Sequence, residues 1–180
     1  MRCVVFSNNK KKLSELQDLL SKQSLDVFAY TDILGKTIDV VEDGDTFAKN
    51  AAKKVNALAE LVEDIVVADD SGLEVDCMNG KPGVYSARYG GESLTDYERC
   101  DYLLRQIESE QNRSARFVCT IAIKLPKQDI QLLEGVVEGT LDFRLSGESG
   151  FGYDPIFIPN GYDQTFAQLG PDVKYKISHR

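Results

Sequence analysis

Ile65-Val66-Val67-Ala68-Asp69-Asp70-Ser71-Gly72-Leu73-Glu74-Val75-Asp76 is the stretch on which the reading of the chain turns. Its first four residues are apolar and rich in β-branched side chains, as expected of a short buried strand. They run directly into two adjacent carboxylates. Ser71-Gly72 predicts a turn that lets both carboxylates point into one cavity. Two Asp side chains at the end of a buried strand repel each other and are costly to desolvate unless a cation lies beside them. Two readings stay open on these residues alone. One is a solvated turn, where Asp and Ser are common; the other is a divalent metal on hard oxygen ligands, with one Asp left to activate water.

Upstream, Val40-Val41-Glu42-Asp43-Gly44-Asp45-Thr46 reads as an extended piece ending in an acidic turn, with Asp45 or Thr46 suited to cap a helix. The spacing predicts that helix over residues 47–63, with Phe47, Ala51, Leu58 and Leu61 along one stripe. Lys54 falls in the middle of the stripe and Asn50 at its edge, whereas Lys49 and Lys53 point away. A lysine so placed either snorkels to the surface or turns inward to a carboxylate or phosphate. Further back, Cys3-Val4-Val5-Phe6 reads as a first strand, and Leu13, Leu16, Leu19 and Leu20 mark a helix. Between them, Ser7, Asn9 and Lys12 sit where a helix N-terminus offers N–H donors to an anion. Three lysines there oppose the helix dipole, which is odd for structure and sensible for an anion site. The loop lacks the glycines of a Walker motif.

Residues 25–30 read as a second strand. Downstream, Asn79 to Gly91 form a Pro- and Gly-punctuated loop, and Thr95-Asp96-Tyr97-Glu98 is a capping box for a packing helix. Alternation over 117–125 and again over 133–145 predicts two long strands at the antiparallel centre of a mixed sheet. Glycines flanking Phe151 in Gly150-Phe151-Gly152-Tyr153-Asp154 leave an aromatic face as a platform for a flat ring, or form a tight turn around a buried Phe. The sequence ends Lys174-Tyr175-Lys176-Ile177-Ser178-His179-Arg180, readable as a frayed basic terminus or as part of a site.

A chain of 180 residues is read as one domain, 1–180, with room for a sizeable core. The formal net charge of -8 argues against a nucleic-acid polymer as partner, because sequence-independent affinity for it needs a basic surface. A small anion remains compatible if a few cations are focused in one place. Cys3, Cys77, Cys100 and Cys119 are scattered, with no C-x-x-C pair and one histidine, so a structural zinc site is not expected. No apolar run reaches the roughly 20 residues that span a bilayer, and no leader segment is read, so a cytoplasmic location without membrane attachment is expected.

Taken together, SNNKKK (7–12), EDGDTFAKNAAKK (42–54), ADDSGLEVD (68–76), GKPGVYSARY (80–89), SGFGYDPIF (149–157) and KYKISHR (174–180) resemble the inosine triphosphate pyrophosphatase (HAM1-like) family, in the same order and over nearly the whole chain. The resemblance implies a mixed α/β fold with an elongated sheet and two lobes around a nucleotide cleft. It implies a homodimer and Mg²⁺-dependent hydrolysis of non-canonical purine nucleotides (ITP, dITP, XTP) to monophosphate and pyrophosphate. Ser7, Asn9 and Lys12 match its phosphate-binding loop; Glu42 and Asp70 match its magnesium ligands, Asp70 also its proton acceptor. Lys54 and Asp69 match polar residues around the scissile phosphate. Ser71, Phe151, Gly152, Tyr153, Asp154, Lys174, His179 and Arg180 match substrate contacts. Departures are Ser7 for the usual Thr, Gln168 for Glu, and Gly170-Pro171 in a region that is more often helical. Family members also usually continue beyond the position of Arg180 with another helix.

The expected chemistry is metal-assisted phosphoanhydride hydrolysis. Asp70 orients or deprotonates the attacking water with help from Asp69, and Lys54, Lys12 and Lys174 neutralise developing charge. The alternatives are a pyrimidine-directed pyrophosphatase of related fold, a nucleotide sensor without turnover, and a dimeric aspartic protease built on Ala68-Asp69-Asp70-Ser71-Gly72. The protease leaves Asp69, Lys54 and the basic loops without a role.

Overall fold

The computed structural model describes residues 1–180. Six strands, β1 (Arg2–Phe6), β2 (Asp26–Ala29), β3 (Ile65–Val75), β4 (Ser114–Lys124), β5 (Gln131–Leu141) and β6 (Phe157–Pro159), form a mixed sheet in the order β2-β1-β3-β4-β5-β6. The helices are α1 (Lys10–Ser21), α2 (Tyr30–Leu34), α3 (Phe47–Ala59), α4 (Asp96–Gln106), α5 (Phe166–Leu169) and α6 (Pro171–Ile177). β1 pairs in parallel with β2 and β3, Val4 lying opposite both Phe28 and Val66, and β5 pairs antiparallel with β6. The chain divides into two compact units, the first of residues 1–70, 119–134 and Arg180, the second of 71–118 and 135–179.

In the first unit the alternation of strand side chains sets the layers. Val4, Phe6, Val66, Ala68 and Ala122 bury one face with Ala51, Val55 and Leu58 of α3. Cys3, Val5 and Val67 face the other way, with Leu16 of α1 and with Ile121 and Ile123 beside them. Each helix thus covers its own face of one sheet. In the second unit Leu73, Val75, Leu103, Ile107, Phe117, Phe157 and Phe166 make a separate core.

The structure corrects several expectations. Ser71-Gly72 does not turn the chain: β3 runs unbroken from Ile65 to Val75. The two carboxylates therefore do not enter one cavity, because consecutive residues of a strand project to opposite faces. Residues 36–46 carry neither helix nor strand, so the extended piece before α3 is irregular. α3 ends at Ala59, leaving Leu61 half-exposed beyond it, and β5 ends at Leu141. Gly170-Pro171 separates α5 from α6, with Gly170 as N-cap and Pro171 in the first turn, where its missing N–H costs nothing.

The capping box of α4 forms as read, Glu98 N donating to Thr95 Oγ1 at 3.3 Å and Thr95 N donating to Glu98 Oε2 at 2.8 Å. Replacing Thr95 by Ala is expected to destabilise the chain by about 1 kcal/mol, measured as a lower urea midpoint at unchanged m-value. The helix does more than pack: its first residue, Asp96, accepts a hydrogen bond from Gly152 N at 2.9 Å and so fixes the loop that carries Phe151.

Candidate active site

Asp69 and Asp70 belong to different helices because β3 alternates. Asp70, on the face of Val66 and Ala68, meets α3. Asn50 Nδ2 donates to its Oδ2 at 3.0 Å, and Lys54 Nζ lies 3.6 Å from Oδ1. Lys54 also donates to Glu42 Oε2 at 2.9 Å, so one ammonium is shared by two carboxylates. The stripe reading of α3 holds here: Lys54 is 6% and Asn50 1% exposed, while Lys49 and Lys53 are solvated and pair with Asp45 and Asp43. Asn50 was visible at the edge of the stripe but not read as part of a site. Its Oδ1 accepts from Gly44 N at 2.8 Å, which ties the irregular 42–46 loop to Asp70.

Asp69, on the face of Val67, meets α1 instead. Lys12 Nζ lies 3.3 Å from its Oδ2, Arg180 Nε donates to the same oxygen at 3.1 Å, and the Cys119 thiol approaches at 3.8 Å. Arg180 NH1 also pairs with Glu15, one turn after Lys12 on α1. Arg180 is thus neither frayed nor turned outward: its side chain is 2% exposed and engaged by carboxylates. Glu15, an acid three residues after Lys12 on the same helix face, is a local signal not used in the sequence reading.

The electrostatics of the adjacent pair run in opposite directions. Burial by itself would raise the Asp69 carboxyl, but the charges of Lys12, Arg180 and Lys54 outweigh it and hold the group far below the usual carboxylate range. Burial lifts Asp70 above its ordinary value; Lys54, Lys12 and Asn50 pull the other way without cancelling it, and the Glu42 carboxylate adds to the rise. Burial, with Asp69 adding, pushes the Cys119 thiol up to about 12, which keeps it protonated and inert.

The Ser7–Asn9 loop caps α1. Asn9 Oδ1 accepts from Lys11 N at 3.0 Å and Lys12 N at 3.2 Å, and Ser7 Oγ accepts from Asn9 N at 3.2 Å. The cap uses the carbonyl half of the Asn9 amide, so its NH₂ is the half suited to an anion. Ser71 follows in β3 and is half-buried.

In the second unit Lys174 and Asp154, 6% and 1% exposed, pair at 2.6 Å, and the ammonium sits 4.1 Å above the centroid of the Phe151 ring. One face of the expected platform is therefore covered by a cation. Phe151 N donates to Asp154 Oδ2 at 2.8 Å, and Gly150 has φ +81, with room for no Cβ beside that oxygen. Tyr153 is buried and donates to Ser86 O at 2.9 Å, so it serves the frame of the loop. His179 stacks on Phe117, centroids 4.8 Å apart and planes within 12°.

No three Asp, Glu, Cys or His side chains converge as a ready metal cage. The donor pair Glu42 and Asp70 nevertheless fits Mg²⁺, which takes one or two protein carboxylates and completes its shell from phosphates and water. The Lys54 ammonium lies 2.9 Å from Glu42 and 3.6 Å from Asp70, so the two carboxylates already face a common positive charge.

Residues 3–180 match the model of the Ham1 family. The chain belongs to that family. Among its relatives, a dITP/XTP pyrophosphatase of Desulforamulus reducens is 47% identical, the match covering 100% of this chain and 90% of that one. A dITP/XTP pyrophosphatase of Bacillus subtilis is 43% identical over 98% of this chain and 90% of its own. Among solved structures, the Staphylococcus aureus Ham1 protein superposes with a TM-score of 0.90 at 39% identity, covering 100% of this chain and 92% of that one. A HAM1 protein from Coxiella burnetii gives 0.89 at 37% identity with the same coverage. The Ham1 fold is thus present over the full sequence given, including the stretches that carry both carboxylate clusters.

Proposed function

We propose that this Ham1-family chain is a Mg²⁺-dependent nucleoside triphosphate pyrophosphatase that converts ITP, dITP and XTP to the monophosphate and pyrophosphate. The observation that carries the reading is the split of adjacent carboxylates. Asp69 is held between Lys12 and Arg180, while Asp70 shares the Lys54 ammonium with Glu42. Neighbours driven apart in this way mark a division of labour. Asp70 is assigned as the acceptor of the water proton, and Asp69 as the fixed anion that orients Lys12 and Arg180. Lys54 and Lys12 neutralise charge that grows on the reacting phosphate and on the pyrophosphate leaving group. Ser7 and Asn9 present donors to phosphate oxygens at the start of α1. Glu42 and Asp70 would hold Mg²⁺. When bound, it supplies Lewis-acid polarisation of the phosphate oxygens.

Phe151, Gly152, Asp154, Lys174, His179 and Ser71 are assigned to the rest of the nucleotide, with Tyr153 framing their loop through its buried bond to Ser86. With Lys174 paired to Asp154 and set over Phe151, its place is on this side rather than on the leaving group. We further read the two units as one catalytic domain that works as a cytoplasmic homodimer. No helix is long and apolar enough to cross a membrane.

The test is pyrophosphate release from ITP, XTP, ATP, GTP and dTTP with Mg²⁺. Hypoxanthine and xanthine present a carbonyl at C6 where adenine presents a donor, and His179 and Arg180 supply donors. ITP and XTP are expected to exceed ATP in kcat/KM by at least about tenfold, within the roughly 10⁴-fold ceiling of a hydrogen-bonding mismatch. Equal rates for ATP and ITP would reject the base assignment, a lead for dTTP would move the enzyme to pyrimidines, and no pyrophosphate from any triphosphate would reject the reaction. Because Arg180 holds Asp69, Arg180→Ala should lower turnover of every triphosphate and not merely narrow the ITP/ATP ratio.

A further inference from the structure

Gly135 lies inside β5, where glycine is a poor choice because it packs nothing and costs backbone entropy. Its φ is not in the left-handed region, so the backbone there would accept any L-residue. What forbids a side chain is the chain that passes over it. A Cβ at Gly135 would lie 2.1 Å from the carbonyl oxygen of His179 and 3.2 Å from its carbonyl carbon. These are backbone atoms, which cannot swing aside as a side-chain tip can. On the same stretch the His179 ring lies flat on Phe117. The His179 main chain thus passes over Gly135 and its ring over Phe117, and the next residue, Arg180, directs its guanidinium to Asp69 and Glu15.

We propose that Gly135 is a positioning residue for the reaction: by letting the His179 backbone lie flush on β5, it sets Arg180 on Asp69. The role rests on the pyrophosphatase reading of the site. Adding one methyl group at Gly135 lifts His179 by more than an ångström, takes its ring off Phe117 and draws Arg180 away from the carboxylate. Misplacement on that scale costs on the order of a hundredfold in rate when the displaced group serves the chemistry.

His179 is the sole histidine of the chain, so selective labelling of histidine gives one imidazole signal, shifted upfield by the Phe117 ring. In Gly135→Ala that signal should move to its unstacked position. The kcat/KM for ITP should fall by at least about tenfold, and Gly135→Ala should cost less in an Arg180→Ala background than in the wild type, because the share of the loss that runs through Arg180 is already gone. Val136→Thr, on the exposed face of the same strand, should leave signal and rate unchanged. If Gly135→Ala does not fold, Phe117→Leu takes its place, with the same expected signal change and the same lack of additivity. An unmoved His179 signal, or losses that multiply with Arg180→Ala, overturns the proposal. A moved signal with wild-type turnover overturns the positioning role while the pyrophosphatase stands. If the wild-type chain releases no pyrophosphate, the underlying reading fails and takes the role with it, and the His179 signal then describes only a seat.

Discussion

Asp70→Asn should lower kcat by at least about a hundredfold and leave the chain folded. The amide keeps the shape of the carboxylate and can still meet Asn50, but it cannot take a proton from water and is a poor ligand for Mg²⁺. Stability separates this variant from its neighbour. A carboxyl whose folded pKa is raised, as for Asp70, contributes stability below its unfolded pKa and loses it as pH rises through the folded value. At neutral pH its charge is a cost, so Asp70→Asn without metal should melt at or above the wild type. Asp69 has the opposite sign: its stability is present above the unfolded pKa and is lost only as pH falls through the depressed folded value. Asp69→Asn should therefore lose about 3 kcal/mol at neutral pH, the low end for breaking a buried pair, since Arg180 keeps Glu15. Thermal melts of both variants without Mg²⁺, beside single-turnover rates with it, check the pair. Near-normal turnover by folded Asp70→Asn would remove Asp70 from the chemistry.

Lys54→Met should cost on the order of 10²–10³ in kcat, the usual effect of deleting one group aimed at developing charge. Methionine fills most of the lysine stem between Ala51 and Leu58, so the α3 stripe stays packed. What disappears is the ammonium shared by Glu42 and Asp70. Lys53→Met is the matched control one position away: that side chain is solvated and pairs with an exposed Asp43. Its kcat should stay within about twofold, the range of a surface pair of little worth. Equal losses in the two variants would mean that the inward face of α3 has no special role.

Helices α1, α3 and α4 were legible because their signals are local, whereas the short α2, α5 and α6 were not read. The 3.6 period places Lys54 inward and Lys53 outward without any knowledge of what lies opposite, and Thr46 and Thr95 cap their helices as their chemistry dictates. β3 was misread for the complementary reason. Ser71-Gly72 has turn propensity, but β3 is held by ladder bonds to β1 as far as Ala68 and by its neighbour β4 on the other side, and the sheet overrides local preference. That error spread to the carboxylates, since a turn gathers them and a strand separates them. Arg180 was beyond reach in another way. Its partners Asp69 and Glu15 are distant in sequence, and no local pattern near Lys176 or His179 announces them. Residues 36–46 have a similar explanation: their inward ties, Gly44 to Asn50 and Glu42 to Lys54, are made by side chains of the next helix.

The unbroken course of β3 also bears on which genetic changes this chain tolerates. Side chains on a strand alternate with period two, so inserting or deleting one residue between Val67 and Asp69 exchanges the faces of every residue beyond it. The carboxylate bound for Asn50 and Lys54 would then arrive at Lys12 and Arg180, and the other would arrive at α3. Both acids would still lie in the strand, and the assignment of ionised and raised groups would be inverted. A two-residue insertion keeps the faces but slides Asp69 and Asp70 past the ends of α1 and α3 by about 7 Å. A substitution in this strand acts at one position; a change of length acts on every position beyond it.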